Sequence, residues 1–248
     1  MSTNHKVDIV VNQLKNRFEH GFSSRIVCLI YHGSSLFKDA DMKYSDIDFE
    51  LVLSSFEIDD YAQIQQIIKT EKIRVECQLR YFDELTNPDG LIKKTNYKIF
   101  MYFAYANGLC LLGENIYKNL IKTLADDDVK KSLLLSAHIA FKDIRKSYLS
   151  NSSQVVINKQ IKIFVLDLLM FLGYLDYRDL GKVTFMGKGS VFFVEELKDA
   201  CPTILTGQNL IIYKKFRENS SNKILCCEMF SITNKIYQYF FSENEIRR

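Results

Sequence analysis

Hydrophobic positions along the chain switch repeatedly between helical and alternating period, and the changes outline its elements. Val7, Ile9, Val10, Val11, Leu14 and Phe18 fall at helical spacings, so a first helix is predicted over residues 7–20, closed by Gly21. Arg25 to Tyr31 is a continuous apolar run ending at Gly33-Ser34-Ser35, which is how a buried strand entering a tight turn reads. From Asp46 to Leu53 the pattern alternates, with Asp46, Asp48 and Glu50 on one face and Ile47, Phe49 and Leu51 on the other. A helix over residues 58–70 comes next. The most regular alternation in the chain runs from Lys72 to Tyr81: Lys72, Arg74, Glu76, Gln78 and Arg80 line its polar face. A helix from about Leu91 to Ala106 stops at Asn107-Gly108, and Leu109 to Leu112 has the length of an edge strand.

Beyond about residue 116 the strand pattern fades. Long helical stretches are predicted over Asp127–Leu149, Val155–Leu175 and Ser221–Phe241, with Asp176–Ser190 as a longer loop. The expectation is an α+β chain in which a small mixed sheet with helices occupies residues 1–120 and an α-helical domain occupies 121–248.

Composition narrows the function classes. The 248 residues carry a net charge of +3 with both signs interspersed, which gives no reason to invoke a nucleic-acid surface or a polybasic membrane anchor. No apolar stretch approaches the roughly 20 residues that span a bilayer, and MSTNHKVDIV lacks the basic-then-apolar run of a secretion signal. The six cysteines show no CxxC spacing and read as core thiols. A cytoplasmic protein that does not act on membranes is expected.

The chemistry concentrates between residues 33 and 53. Gly33 and Ser34 at a strand-to-turn junction let backbone N–H groups approach a phosphate. Asp46 and Asp48, one strand residue apart, project from one face, where Mg²⁺ takes a few carboxylates together with phosphate oxygens. A third carboxylate on a neighbouring strand would complete a two-metal site, and Glu76 is the candidate. A solvated strand face is the competing explanation for all three acids. Gly181 to Ser190 resembles a phosphate loop only superficially, because the glycine spacing is wrong and Gly189 stands where Ser or Thr is required. The four histidines show no zinc-site pairing.

The string GSS…YSDIDFELVL is similar to the signature of the DNA polymerase beta-like nucleotidyltransferase superfamily, a Gly-Ser followed about ten residues later by Asp-x-Asp on a strand. Within it the chain most resembles the kanamycin-type aminoglycoside nucleotidyltransferases, through Val75-Glu76, Phe82-Asp83-Glu84-Leu85, the run Asn107 to Gly113, and Leu168 to Tyr174. The resemblance implies a nucleotidyltransferase domain followed by a helical domain, with the active site in a cleft between them. Gly33, Ser34 and Ser45 would grip the triphosphate, and Asp46, Asp48 and Glu76 would hold Mg²⁺. The co-substrate would be a nucleoside triphosphate, with ATP leading, and the acceptor a small antibiotic-like polyol such as an aminoglycoside or lincosamide. A homodimer is implied as well.

One departure stands out. Family members carry a helix glutamate as general base and a lysine one turn later; Ala137 to Lys146 contains no glutamate, which leaves Asp143 as the candidate base and Lys146 as the phosphate contact, against an ordinary solvated helix face. Two rival functions stay open: a toxin-type nucleotidyltransferase acting on tRNA or protein, and a catalytically silent binding relative.

Overall fold

The computed structural model describes residues 3–36, 46–69, 73–86, 99–150, 152, 154–173, 197–218 and 223–242. Helix α1 (Thr3–Phe22) precedes strand β1 (Ile26–His32), and β2 (Ile47–Leu53), α2 (Asp60–Ile68) and β3 (Val75–Tyr81) follow. Next come α3 (Phe82–Thr86), α4 (Ile99–Ala106), β4 (Leu109–Gly113) and α5 (Tyr117–Leu120). The remaining helices are α6 (Asp126–Leu149), α7 (Gln154–Phe171), α8 (Gly207–Glu218) and α9 (Lys223–Ser242). This is an α+β chain with a mixed sheet of four strands in the order β3-β2-β1-β4. The described residues divide into two compact units, residues up to Val129 and residues from Lys130 onward. Among the described residues, no helix is long and apolar enough to cross a membrane.

In the first unit, β1 runs antiparallel to both β2 and β4, while β2 and β3 are parallel and joined through α2. Alternation decides what each face of the sheet meets. Ile47, Phe49, Leu51 and Leu53 of β2, with Leu29 and Tyr31 of β1, bury against Val7, Val11, Leu14, Phe18 and Phe22 of α1 and Ile64 of α2. The α1 residues recur every three or four positions, so one helical stripe covers this face. Arg25 and the start of α2 are fastened by the buried Asp60, whose carboxylate accepts hydrogen bonds from Arg25 Nη2 at 2.7 Å, the Glu57 amide at 2.9 Å and the Tyr81 hydroxyl at 3.2 Å.

The opposite face carries Asp48 and Glu50 of β2 and Glu76, Gln78 and Arg80 of β3, which pair across the parallel register as Asp48 with Glu76 and Glu50 with Gln78. Glu50 is fully buried here. Its Oε1 accepts hydrogen bonds from Arg80 Nε at 2.8 Å and the Tyr117 hydroxyl at 2.5 Å, and the Tyr105 hydroxyl donates to Gln78 Oε1 at 2.8 Å. Burial pushes the Glu50 carboxyl up to about 7, with Arg80 and Tyr117 pulling the other way.

In the second unit, Leu133, Ala137, Phe141 and Ile144 of α6, Ile161, Phe164, Val165 and Leu168 of α7, and Met229, Ile232 and Ile236 of α9 are buried. Phe141 links three helices: its ring centroid lies 5.9 Å from that of Phe164 and 4.0 Å from that of Tyr237. Asp126, Asp127 and Asp128 in the first turn of α6 complement the helix dipole. The α8 helix, absent from the sequence-based expectation, is opened by Thr206, whose hydroxyl accepts the Asn209 amide at 3.4 Å, and anchored by the Tyr213 hydroxyl, 2.6 Å from Thr233 Oγ1.

Candidate functional site

Strand pairing assembles the site. Asp48 sits on β2 opposite His32 of β1 and beside Glu76 of β3. Asp46 immediately precedes β2, and the Ile47 amide donates to the Arg74 carbonyl at 3.0 Å, which brings the approach to β2 alongside the approach to β3. Asp46, Asp48 and Glu76 consequently converge: one carboxylate oxygen from each lies within 4.8 Å of the others, and all three side chains are half-buried. The three acids named from sequence as metal ligands are therefore neighbours in space. Glu50, on the same face of β2, is absorbed by its pair with Arg80.

Gly33 closes the site on one side. Directly after His32 the backbone takes φ +85° at Gly33, in the left-handed region, and turns through a single 3-10 turn over Ser34–Leu36. A Cβ at position 33 would collide with the Asp48 carboxylate, so glycine is what lets the backbone pass this close to the acid. The Ser34 side chain and the whole of Ser45 lie outside the described residues. His32 is buried at the end of β1, with its ring edge-on to Tyr105 at 4.7 Å.

Three carboxylates this close repel one another unless a cation lies among them. Arg74, just before β3, supplies one: its Nη2 lies 2.5 Å from Glu76 Oε1 and its Nε 3.5 Å from Asp46 Oδ1. Asp46 above all, then Glu76, raises the Arg74 guanidinium further above its ordinary value. Hard carboxylate oxygens in a half-open cluster are the donor set that Mg²⁺ prefers, since it retains sites for phosphate and water.

Asp143 and Lys146 belong to the second unit, where both are exposed on α6. Lys142, Arg145 and Lys146, with Leu149 and Ser150, line a shallow depression of about 550 Å³. His138, half-buried on the same helix, places Nδ1 2.7 Å from the Tyr237 hydroxyl. The Gly181–Ser190 segment lies outside the described residues.

The α+β fold, a four-stranded mixed sheet completed by helices, carries the Asp46-x-Asp48 pair at the start of β2 beside the Gly33 turn. It is similar to the crystal structure of spectinomycin adenyltransferase AAD(9) from Enterococcus faecialis with ATP and spectinomycin, at a TM-score of 0.58 and 13% identity, covering 93% of this chain and 99% of that one. No family model matches the sequence, and no curated protein matches it. At this identity the likeness establishes the fold.

Proposed function

We propose that this chain is a Mg²⁺-dependent nucleotidyltransferase that moves a nucleoside monophosphate, with ATP as the leading donor, onto a hydroxyl of a small antibiotic-like acceptor. The observation that carries the reading is the convergence of Asp46, Asp48 and Glu76 beside the Gly33 turn. The structural neighbour adds support, as it is a spectinomycin adenyltransferase whose structure holds ATP and spectinomycin. Asp46, Asp48 and Glu76 would hold Mg²⁺, which when bound neutralises charge developing on the phosphoryl oxygens and aligns the polyphosphate. Gly33 keeps backbone free of side-chain bulk next to Asp48, where a phosphate has to approach.

In the reaction the acceptor oxygen attacks the α-phosphorus, the bond to the bridging α–β oxygen breaks, and pyrophosphate leaves in line. The hydroxyl proton passes to a base. Asp143 is proposed for that role, with Lys146 as a phosphate contact. The support is sequence position on α6 together with the exposure of both groups and the cationic lining around Lys146.

Pyrophosphate release tests the reading. The protein is incubated with Mg²⁺ and each of the four common ribonucleoside triphosphates, against spectinomycin, other aminoglycosides, lincosamides and bulk tRNA. Release that needs one small acceptor and is lost in Asp48→Asn supports it. Release with tRNA alone replaces the acceptor class, and no release with any pairing counts against catalysis.

A further inference from the structure

Arg74 is not part of the carboxylate set, yet it occupies the space a cation would use. Its guanidinium contacts Glu76 at 2.5 Å and Asp46 at 3.5 Å, the two acids that flank Asp48 in the cluster. The side chain is 68% exposed, so it is held by these charges rather than by packing, and it is free to swing away without opening the core. A divalent cation needs the same oxygens, so guanidinium and metal cannot both take Glu76 in full.

We propose that Arg74 couples metal loading to nucleotide arrival. Its guanidinium competes with the divalent cation for Glu76 and Asp46 while the site holds no polyphosphate. It transfers to a phosphate oxygen when the nucleoside triphosphate arrives, which frees the carboxylates. Arg74 then acts as a positioning and specificity residue: the site favours metal together with triphosphate over metal alone. An arginine fork pairs with phosphate as well as with carboxylate, and a triphosphate brings several anionic oxygens to this exposed side chain. By linkage, if the nucleotide strengthens metal binding, the metal strengthens nucleotide binding by the same factor.

This proposal rests on the reading of Asp46, Asp48 and Glu76 as metal ligands, and the experiment separates the two. Mn²⁺ binding is measured by electron paramagnetic resonance, with and without a non-hydrolysable ATP analogue, for the unaltered protein, Arg74→Ala, Arg74→Lys and Asp48→Asn. Thermal melts check that each variant is folded. Arg74→Ala is expected to bind Mn²⁺ alone about tenfold more tightly, to bind the analogue more weakly, and to lose most of the mutual enhancement. Arg74→Lys, which keeps the charge but not the fork, should fall between. If Asp48→Asn binds Mn²⁺ as the unaltered protein does, the metal-site reading fails and the coupling fails with it. If Asp48→Asn loses Mn²⁺ while Arg74→Ala leaves the enhancement by nucleotide intact, the metal-site reading stands and the coupling is overturned.

Discussion

Replacing Gly33 with alanine perturbs the site at a point where the structure gives a definite account of the damage. At φ +85° an L-residue carries about 1–2 kcal/mol of backbone strain that glycine avoids. For a chain of this size that corresponds to a fall in Tm of roughly 2–8 °C. The larger effect is local, because the added methyl overlaps the Asp48 carboxylate, which has to shift from its present place beside Asp46 and Glu76. Metal ligands need placement within about 0.5 Å, so displacing one of three carboxylates should weaken divalent-cation binding by about tenfold or more. Mn²⁺ titration beside a thermal melt separates the two effects. A Gly33→Ala protein that binds Mn²⁺ with unchanged affinity, while Asp48→Asn does not, would refute the claim that the turn and the acid are sterically interlocked.

Three further perturbations reach other parts of the molecule. Glu50→Ala leaves Arg80, only 13% exposed, without its buried partner, and should cost about 3–5 kcal/mol in urea unfolding; a loss below about 1 kcal/mol would contradict the buried pairing. Asp167 of α7 is fully buried, and although Ser136 approaches it, no hydrogen bond of ordinary geometry reaches either carboxyl oxygen among the described residues. Burial therefore holds the Asp167 carboxyl well above the usual range, so the folded state keeps a proton that the unfolded state releases, and stability should fall as pH rises, by about 1.4 kcal/mol per pH unit. Asp167→Asn should flatten this fall at pH values above the ordinary carboxylate range, and an unchanged slope would contradict it. Asp60 has the opposite sign: despite the burial that opposes ionisation, its bond to Arg25 holds it below the usual range, so its contribution is present at neutral pH and lost on acidification. Asp60→Asn should therefore be destabilising at pH 7 and progressively less so toward pH 3, as read by denaturant midpoints.

Much of the first unit could be read from local pattern. The alternation around Asp46, Asp48 and Glu50 fixed β2 and its faces, because side-chain direction in a strand depends only on parity. Glu76 was harder, since its place beside Asp48 depends on the parallel register across α2, a non-local match that alternation in β3 permits but does not specify. The separate fate of Glu50 was also not legible: Arg80 and Tyr117 reach it from distant points of the chain, and only their presence turns an acid on the site's face into a buried strut. In the second unit α6, α7 and α9 were apparent from long apolar periodicity, whereas α8 is short and rich in charge, with Thr206 as its main start signal. Cys28 and Cys201 are buried, as core thiols should be, but Cys227 is exposed, its sulfur 2.8 Å from the Tyr148 hydroxyl. The α6 face with Asp143 and Lys146 is solvent-exposed, as an ordinary amphipathic helix would also have it, so periodicity alone assigns it no role.

The most direct test is the mass of the acceptor itself. The protein is incubated with ATP, Mg²⁺ and spectinomycin or another member of the acceptor panel, and the small molecules are analysed by mass spectrometry beside an Asp48→Asn control. One acceptor is expected to return heavier by one adenylate unit, with equimolar pyrophosphate, in the unaltered protein alone. Acceptors that all return unmodified while Mg²⁺ and ATP bind with full affinity would contradict the proposed transfer.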